Sequence, residues 1–264
     1  MAKLKKQHMT IHWKAIVQDD SSIPATEATL KEKATLVGRI GLMMLSVGTG
    51  AWRVRNSMNK VARCLGITCT ADIGLLAISY TCIEGTDTYT QSISNPTTGV
   101  NTHKLMQLEL FMKEFPDKVS TYSVKHIHEV LDEIQKLPAN YKAWNLGLAS
   151  ALACGAFTFL LGGGPVEMCC AFLGAGVGNF VRKKMLGHSI SLLANVAVSV
   201  AASCLVYVLT ILLAQSLLSV SAVHQAGYIC AMLFVIPGFP LITGGIDLAK
   251  LDLRSGLERV SYAL

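Results

Sequence analysis

Charge is what this sequence has least of. Asp, Glu, Lys and Arg make up 15% of the chain, where a soluble domain carries about 25%. Apolar residues reach 52% and the mean hydropathy is +0.45, so part of the chain must have lipid as its solvent. The shortage is local: 16 of the 23 Lys and Arg, and 13 of the 17 Asp and Glu, lie before Tyr141. The formal net charge of +6 owes much to Lys3, Lys5 and Lys6 at the start of the chain. No basic stripe with interleaved aromatic residues accompanies it, which argues against nucleic acid as a partner.

Other absences narrow the chemistry. The eight cysteines stand singly apart from Cys169-Cys170, without C-x-x-C or a Cys/His spacing that would close a tetrahedral metal site. His126 and His128, two apart on a helix, point different ways. Leu161-Gly162-Gly163-Gly164-Pro165 lacks the G-K-[ST] of a phosphate loop, and no G-x-S-x-G elbow occurs. No cofactor and no metal are expected. Residues 1–17 hold lysines but no apolar core of signal-peptide length, so the N-terminus is expected in the cytoplasm.

What is present falls into two grammars. Residues 1–26 read as a flexible tail, with Asp19-Asp20-Ser21-Ser22 and Pro24 breaking any pattern. Residues 27–140 read as a small cytosolic α/β domain. From Glu27, the residues Leu30, Ala34, Val37, Ile40, Met44 and Leu45 recur at helical spacing up to Gly48-Thr49-Gly50. A second helix runs from Ala51 to Leu65 and stops at Gly66. Ile73 to Ile83 reads as one buried strand, Glu84-Gly85-Thr86 as a turn and Thr88 to Ile93 as a returning strand. Pro96 and Gly99 open a loop. Val100 to Phe115 is helical and expected to close at Pro116, and Ser123 caps a last helix that ends before Pro138.

Residues 141–264 read as a transmembrane helical domain with spans at about 143–163, 166–181, 190–213 and 226–249. The whole is expected to be an α-helical integral membrane protein of about four transmembrane helices, the fourth broken by Pro237-Gly238-Phe239-Pro240. Arg182-Lys183-Lys184 and Lys250, Arg254 and Arg259 follow the second and fourth spans, while the opposite ends carry no Lys or Arg. By the positive-inside rule this places the N-terminal domain in the cytoplasm.

Candidate functional residues sit in the membrane half. Pro237 and Pro240 lack an N–H and disrupt the preceding turn, so carbonyls lose helix partners at mid-span and need protein, water or a ligand. Transporters use such broken helices to meet substrate; a packing kink is the plainer explanation. Asp247, an acid in an apolar run, is a candidate for proton or substrate contact, or an interfacial residue above Lys250. Asn179 either bonds across helices or touches substrate, and Glu167 reads as a solvated rim residue. Gly147, Ala151 and Gly155, and Gly174, Gly176 and Gly178, form small faces that let helices approach closely. In the N-terminal half, Gly85 to Thr90 and His103 lack the spacing of a hydrolase site.

Several stretches together resemble the threonine/serine exporter family, in particular its N-terminal half. They are Gly48-Thr49-Gly50-Ala51-Trp52-Arg53-Val54, Ala62-Arg63-Cys64-Leu65-Gly66 and Gly99-Val100-Asn101-Thr102-His103-Lys104-Leu105. They continue with Pro138-x-x-Tyr141-x-x-Trp144, with Ile236-Pro237-Gly238-Phe239-Pro240-Leu241 before Asp247, and with Ser255-Gly256-Leu257-Glu258-Arg259. The resemblance implies secondary efflux of small polar metabolites (threonine, serine or a dicarboxylate such as succinate) across the cell inner membrane, coupled to the proton-motive force. At this length the chain resembles the first, domain-bearing component of a split pair, which implies a second small membrane subunit or a homo-oligomer. The family's first module continues into a fifth span where here only Val260 to Leu264 follow, so that helix is expected from a partner or the chain is a truncated product. A membrane-anchored enzyme or a regulatory subunit acting through its cytosolic domain is the alternative.

Overall fold

The computed structural model describes residues 11, 13, 23–95, 99–138, 141–186, 191–218 and 225–264. Most of the expected tail, the start of the loop at Pro96 and the connections at 187–190 and 219–224 lie outside the described residues. Contacts divide the chain into two units, Met1–Pro138 with Gly238–Leu264, and Ala139–Pro237. The last stretch of the expected membrane domain is thus grouped with the N-terminal residues.

In the first unit, α1 (Leu30–Ser46) begins where Thr29 and Glu32 cap one another, the hydroxyl accepting from the Glu32 N–H and the carboxylate from the Thr29 N–H. Next come α2 (Ala51–Cys64) and a meander of β1 (Thr68–Ile73), β2 (Ala77–Glu84) and β3 (Asp87–Ser94), paired antiparallel in the order β1-β2-β3. The single strand expected over Ile73 to Ile83 is therefore two strands joined by a turn at Gly74–Leu76, where Gly74 N–H donates to the Ala77 carbonyl at 2.9 Å. The signal missed was Thr68-Cys69-Thr70, which alternates without an apolar run and buries Cys69.

Helix α1 lies on the sheet with Leu36, Ile40 and Met44 buried against Ile78, Tyr80 and Met58. Helix α3 (Thr102–Lys118) and α4 (Val124–Lys136) close the core with Leu108, Phe115, Ile127 and Leu131. Helix α3 does not end at Pro116 as expected but runs through it to Lys118. Arg39, almost wholly buried, ties α1 to α4: Nη1 lies 2.8 Å from His128 Nδ1 and 2.9 Å from the His128 carbonyl, and Nη2 pairs with Asp132. The Trp13 ring stacks on His128 and takes the Arg39 guanidinium over its face.

The second unit holds α5 (Ala143–Leu160), α6 (Pro165–Met185), α7 (Leu192–Leu218), α8 (Gln225–Ala231) and a 3-10 turn (Leu233–Val235). The glycine faces read from the sequence are where the helices meet. A Cβ at Gly147 would stand 3.0 Å from the Gly176 carbonyl, and one at Gly174 would stand 2.9 Å from the Ser203 carbonyl. So Gly176 admits α5 on one side of α6, and Gly174 with Gly178 admits α7 on another.

Helices Ala143–Leu160 and Leu193–Leu217 are long and apolar enough to cross a membrane, and a third span exists if Ala226–Val235 and Gly238–Ala249 count as one. Four were expected. The second of these folds as α6, whose Glu167, Arg182, Lys183 and Lys184 and small residues keep it off that set. Among the described residues the protein is mostly helical, with a small three-stranded sheet and two to three candidate spans.

Candidate functional site

In the first unit, α9 (Gly238–Ala249) and α10 (Leu253–Ala263) form a hairpin in which Gly244 and Gly256 admit close contact with Arg259 and Leu248. The hairpin carries Asp247, which has no exposed surface. Its Oδ2 accepts the Ala51 N–H at 3.0 Å and the Ser255 hydroxyl at 3.1 Å, and lies 3.2 Å from Arg259 Nε. Gly50, at the N-cap of α2, has no side chain to serve the first free N–H groups of the helix, so Asp247 does so from a distant part of the sequence. A Cβ on Gly50 would stand 2.9 Å from Oδ1, so the carboxylate approaches this closely only because residue 50 is glycine.

Arg259 is equally committed. Nη2 donates to the Thr49 carbonyl at 2.8 Å and Nε to the Ser255 hydroxyl at 3.1 Å. Gly48, at φ +92, turns the chain so that these carbonyls face the guanidinium. Burial pushes the Arg259 pKa down from its usual value, and the Asp247 charge opposes the shift. Among the described residues, the Oδ1 atom of Asp247 has no hydrogen-bond partner. Around the pair, Arg55 holds Asp252 at 2.6 Å and Glu258 accepts the Leu75 N–H at 2.6 Å.

The fourth apolar run breaks where the prolines demand. Ile236 is extended, Leu233 takes a 3-10 bond from Ile236 N–H at 3.1 Å, and the helix resumes at Gly238. Pro240 then falls in a first turn, where a missing N–H is harmless. The Phe234 carbonyl, left without a helix partner, accepts from Arg182 Nη1 at 2.9 Å. Asn179 Nδ2 donates to the Leu146 carbonyl at 3.0 Å and the Ser150 hydroxyl at 2.6 Å, a bond from α6 to α5. Glu167 accepts the Gly164 N–H at 2.5 Å and so caps its own helix.

Residues 35–264 match the family described as "Putative threonine/serine exporter". The chain belongs to that family. Among exporter relatives, it is 24% identical over 225 residues to "Probable succinate transporter subunit YjjP" of Klebsiella aerogenes, covering 84% of this chain and 83% of that one. It is 23% identical over 224 residues to the protein of the same name from Escherichia coli K12, covering 84% of each. No solved structure matches it. Exporter membership and the apolar helices make this a membrane transport protein.

Two family-like stretches far apart in sequence, Gly48–Ala51 and Asp247–Arg259, meet in one buried cluster. In the sequence Arg259 and Ser255 belong to the exporter-like stretch and nothing local pairs them with Asp247, while Arg182 reads as a topology charge. The sequence does hold one overlooked signal: Asn195, Ser199 and Ser203 recur every four residues in an otherwise apolar helix, and all three are buried.

Proposed function

We propose that the chain is the domain-bearing component of a secondary exporter of small polar metabolites, the substrate class being threonine and serine or a dicarboxylate such as succinate. It works in the cell inner membrane with a second membrane subunit, and the proton-motive force drives it. Residues 27–140 form its cytoplasmic domain, and α6 crosses the membrane as a fourth span shielded by its neighbours. Pro237, Gly238 and Pro240 shape the pathway, Asn179 holds two of its helices together, and Asp247 acts through its hold on Arg259.

One observation carries this reading: the proline break leaves the Phe234 carbonyl to a charged side chain within an apolar bundle. Unsatisfied backbone at membrane depth persists only where protein or a water-filled cavity receives it, and transporters place such breaks at their binding sites. The relatives named as succinate transporter subunits support both the activity and the need for a partner.

The test is efflux of preloaded labelled threonine, serine and succinate from a host without its own exporters. The chain, a candidate partner and the two together are compared, with and without an uncoupler. Efflux that needs both proteins and collapses with the uncoupler is the expected result. Absence of efflux with both proteins folded in the membrane would sink the proposal.

A further inference from the structure

Arg182 is a cation without a counter-anion in its own unit. Glu167 is the only carboxylate between residues 139 and 237. Both lie on α6, fifteen positions apart, which is about 22 Å along a helix, and Glu167 is engaged with Gly164 at the far end. Among the described residues, Arg182 donates one N–H, from Nη1 to the Phe234 carbonyl. A guanidinium has five N–H donors in a planar fork that matches a carboxylate, and a half-buried charge is costly while unpaired.

Asn195, 2% exposed, meets the same residue at its main chain: Nδ2 donates to the Arg182 carbonyl at 3.2 Å. That bond commits the nitrogen and leaves Oδ1 as a buried acceptor with no partner among the described residues. Ser199 and Ser203 continue the same face of α7, and the Ser203 hydroxyl donates to the Ala231 carbonyl at 2.6 Å. The cluster thus offers one anion-binding fork and one empty neutral acceptor.

We propose that Arg182 binds the carboxylate of the transported molecule and Asn195 Oδ1 accepts from its ammonium or hydroxyl. The cargo is then a zwitterionic hydroxy amino acid rather than a dicarboxylate such as succinate, which in its ionised form carries no donor for Oδ1. This rests on the exporter reading above and goes beyond it by naming the site and choosing the substrate.

The experiment uses the full chain with its partner subunit in the exporter-deficient host, measuring the intracellular concentration that gives half-maximal efflux of threonine, serine and succinate. Arg182→Gln keeps an N–H for the Phe234 carbonyl and removes the charge. It is expected to raise the half-saturating threonine concentration about ten- to a hundredfold, the range for a lost charged hydrogen bond, at unchanged membrane abundance. If Arg182→Gln fails to accumulate, Arg182→Lys decides, with a smaller rise expected because the charge stays and the fork is lost. Wild-type preference for threonine or serine over succinate supports the assignment, and preference for succinate overturns it. Unchanged half-saturation in a well-folded variant overturns it too and leaves Arg182 as a closure of the helix break. Loss instead of a dependence on anionic lipid would make the ligand a headgroup phosphate and overturn it as well. No efflux by the wild-type pair removes the exporter reading and this site with it.

Discussion

Lys60 stands in for the amide hydrogen that Pro116 lacks. In an uninterrupted helix, the residue at 116 would donate to the Met112 carbonyl. Here Lys60 Nζ reaches across from α2 and donates to that carbonyl at 2.7 Å, which is how α3 continues to Lys118. At the other proline break Arg182 also serves a carbonyl, that of Phe234, which the Gly238 N–H would have met in an unbroken helix.

Lys60→Met is therefore expected to lower stability by about 1–3 kcal/mol, the cost of leaving a carbonyl unsatisfied. Adding Pro116→Ala, which restores an N–H, should recover most of the loss. Thermal unfolding of the full chain in detergent measures both, and equal losses in the single and double variants would dismiss the substitution of one donor for the other.

Asp247 and Arg259 should behave as a buried pair. Asp247→Asn leaves a guanidinium that is 3% exposed without its anion. The expected cost is about 3–5 kcal/mol, and replacing both partners with apolar residues should cost less than either single change. Additive losses in the double variant, read by the same unfolding assay, would speak against the coupling.

His128 makes the N-terminal residues acid-sensitive. Burial, reinforced by the Arg39 charge and opposed by Asp132, pushes its pKa from 6.5 down to about 4. The unfolded chain takes up a proton from about pH 6.5 downward and the folded one does not. Stability is therefore full above that pH and falls as the pH drops to about 4, by roughly 3 kcal/mol in all. His128→Asn keeps an acceptor near Arg39 without titrating, so its stability profile should be flatter in this window. A slope equal to that of the wild type would assign the sensitivity to other groups.

Two glycines should respond to alanine in opposite directions. A Cβ at Gly178 would stand 2.7 Å from both the Phe234 ring and the Ser203 Cβ, whereas one at Gly245 meets nothing within 4 Å. Gly245→Ala is expected to stabilise α9 by about 0.5–1 kcal/mol. Gly178→Ala should destabilise by about 1–3 kcal/mol through overpacking. Melting temperatures that rise for both would mean that the helix contact at Gly178 is loose.

Local chemistry made much of this protein legible in one dimension. The cap at Ser123, the glycine faces of Gly147 and Gly174, and the apolar runs at 143–163 and 190–213 all act over a few residues, so their spacing suffices to find them. The family-like stretches were legible for the same reason. Pro116 reads as a helix end because the compensating donor is not local: Lys60 lies 52 residues from the Met112 carbonyl that it serves. Cys69 and Cys82 read as scattered thiols, and only the strand register sets them opposite one another.

The sequence by itself determined that this chain is membrane-bound, that its charge lies mostly in the first 140 residues, and that its last apolar run breaks at Pro237. Those properties follow from composition, periodicity and the covalent structure of proline. Only the tertiary structure decided what Asp247 and Arg182 face. A buried charge is defined by its partners, and Asp247 finds Ala51 and Arg259 196 and 12 positions away. Among the described residues Arg182 donates only to a carbonyl, and that incomplete pairing is what marks it.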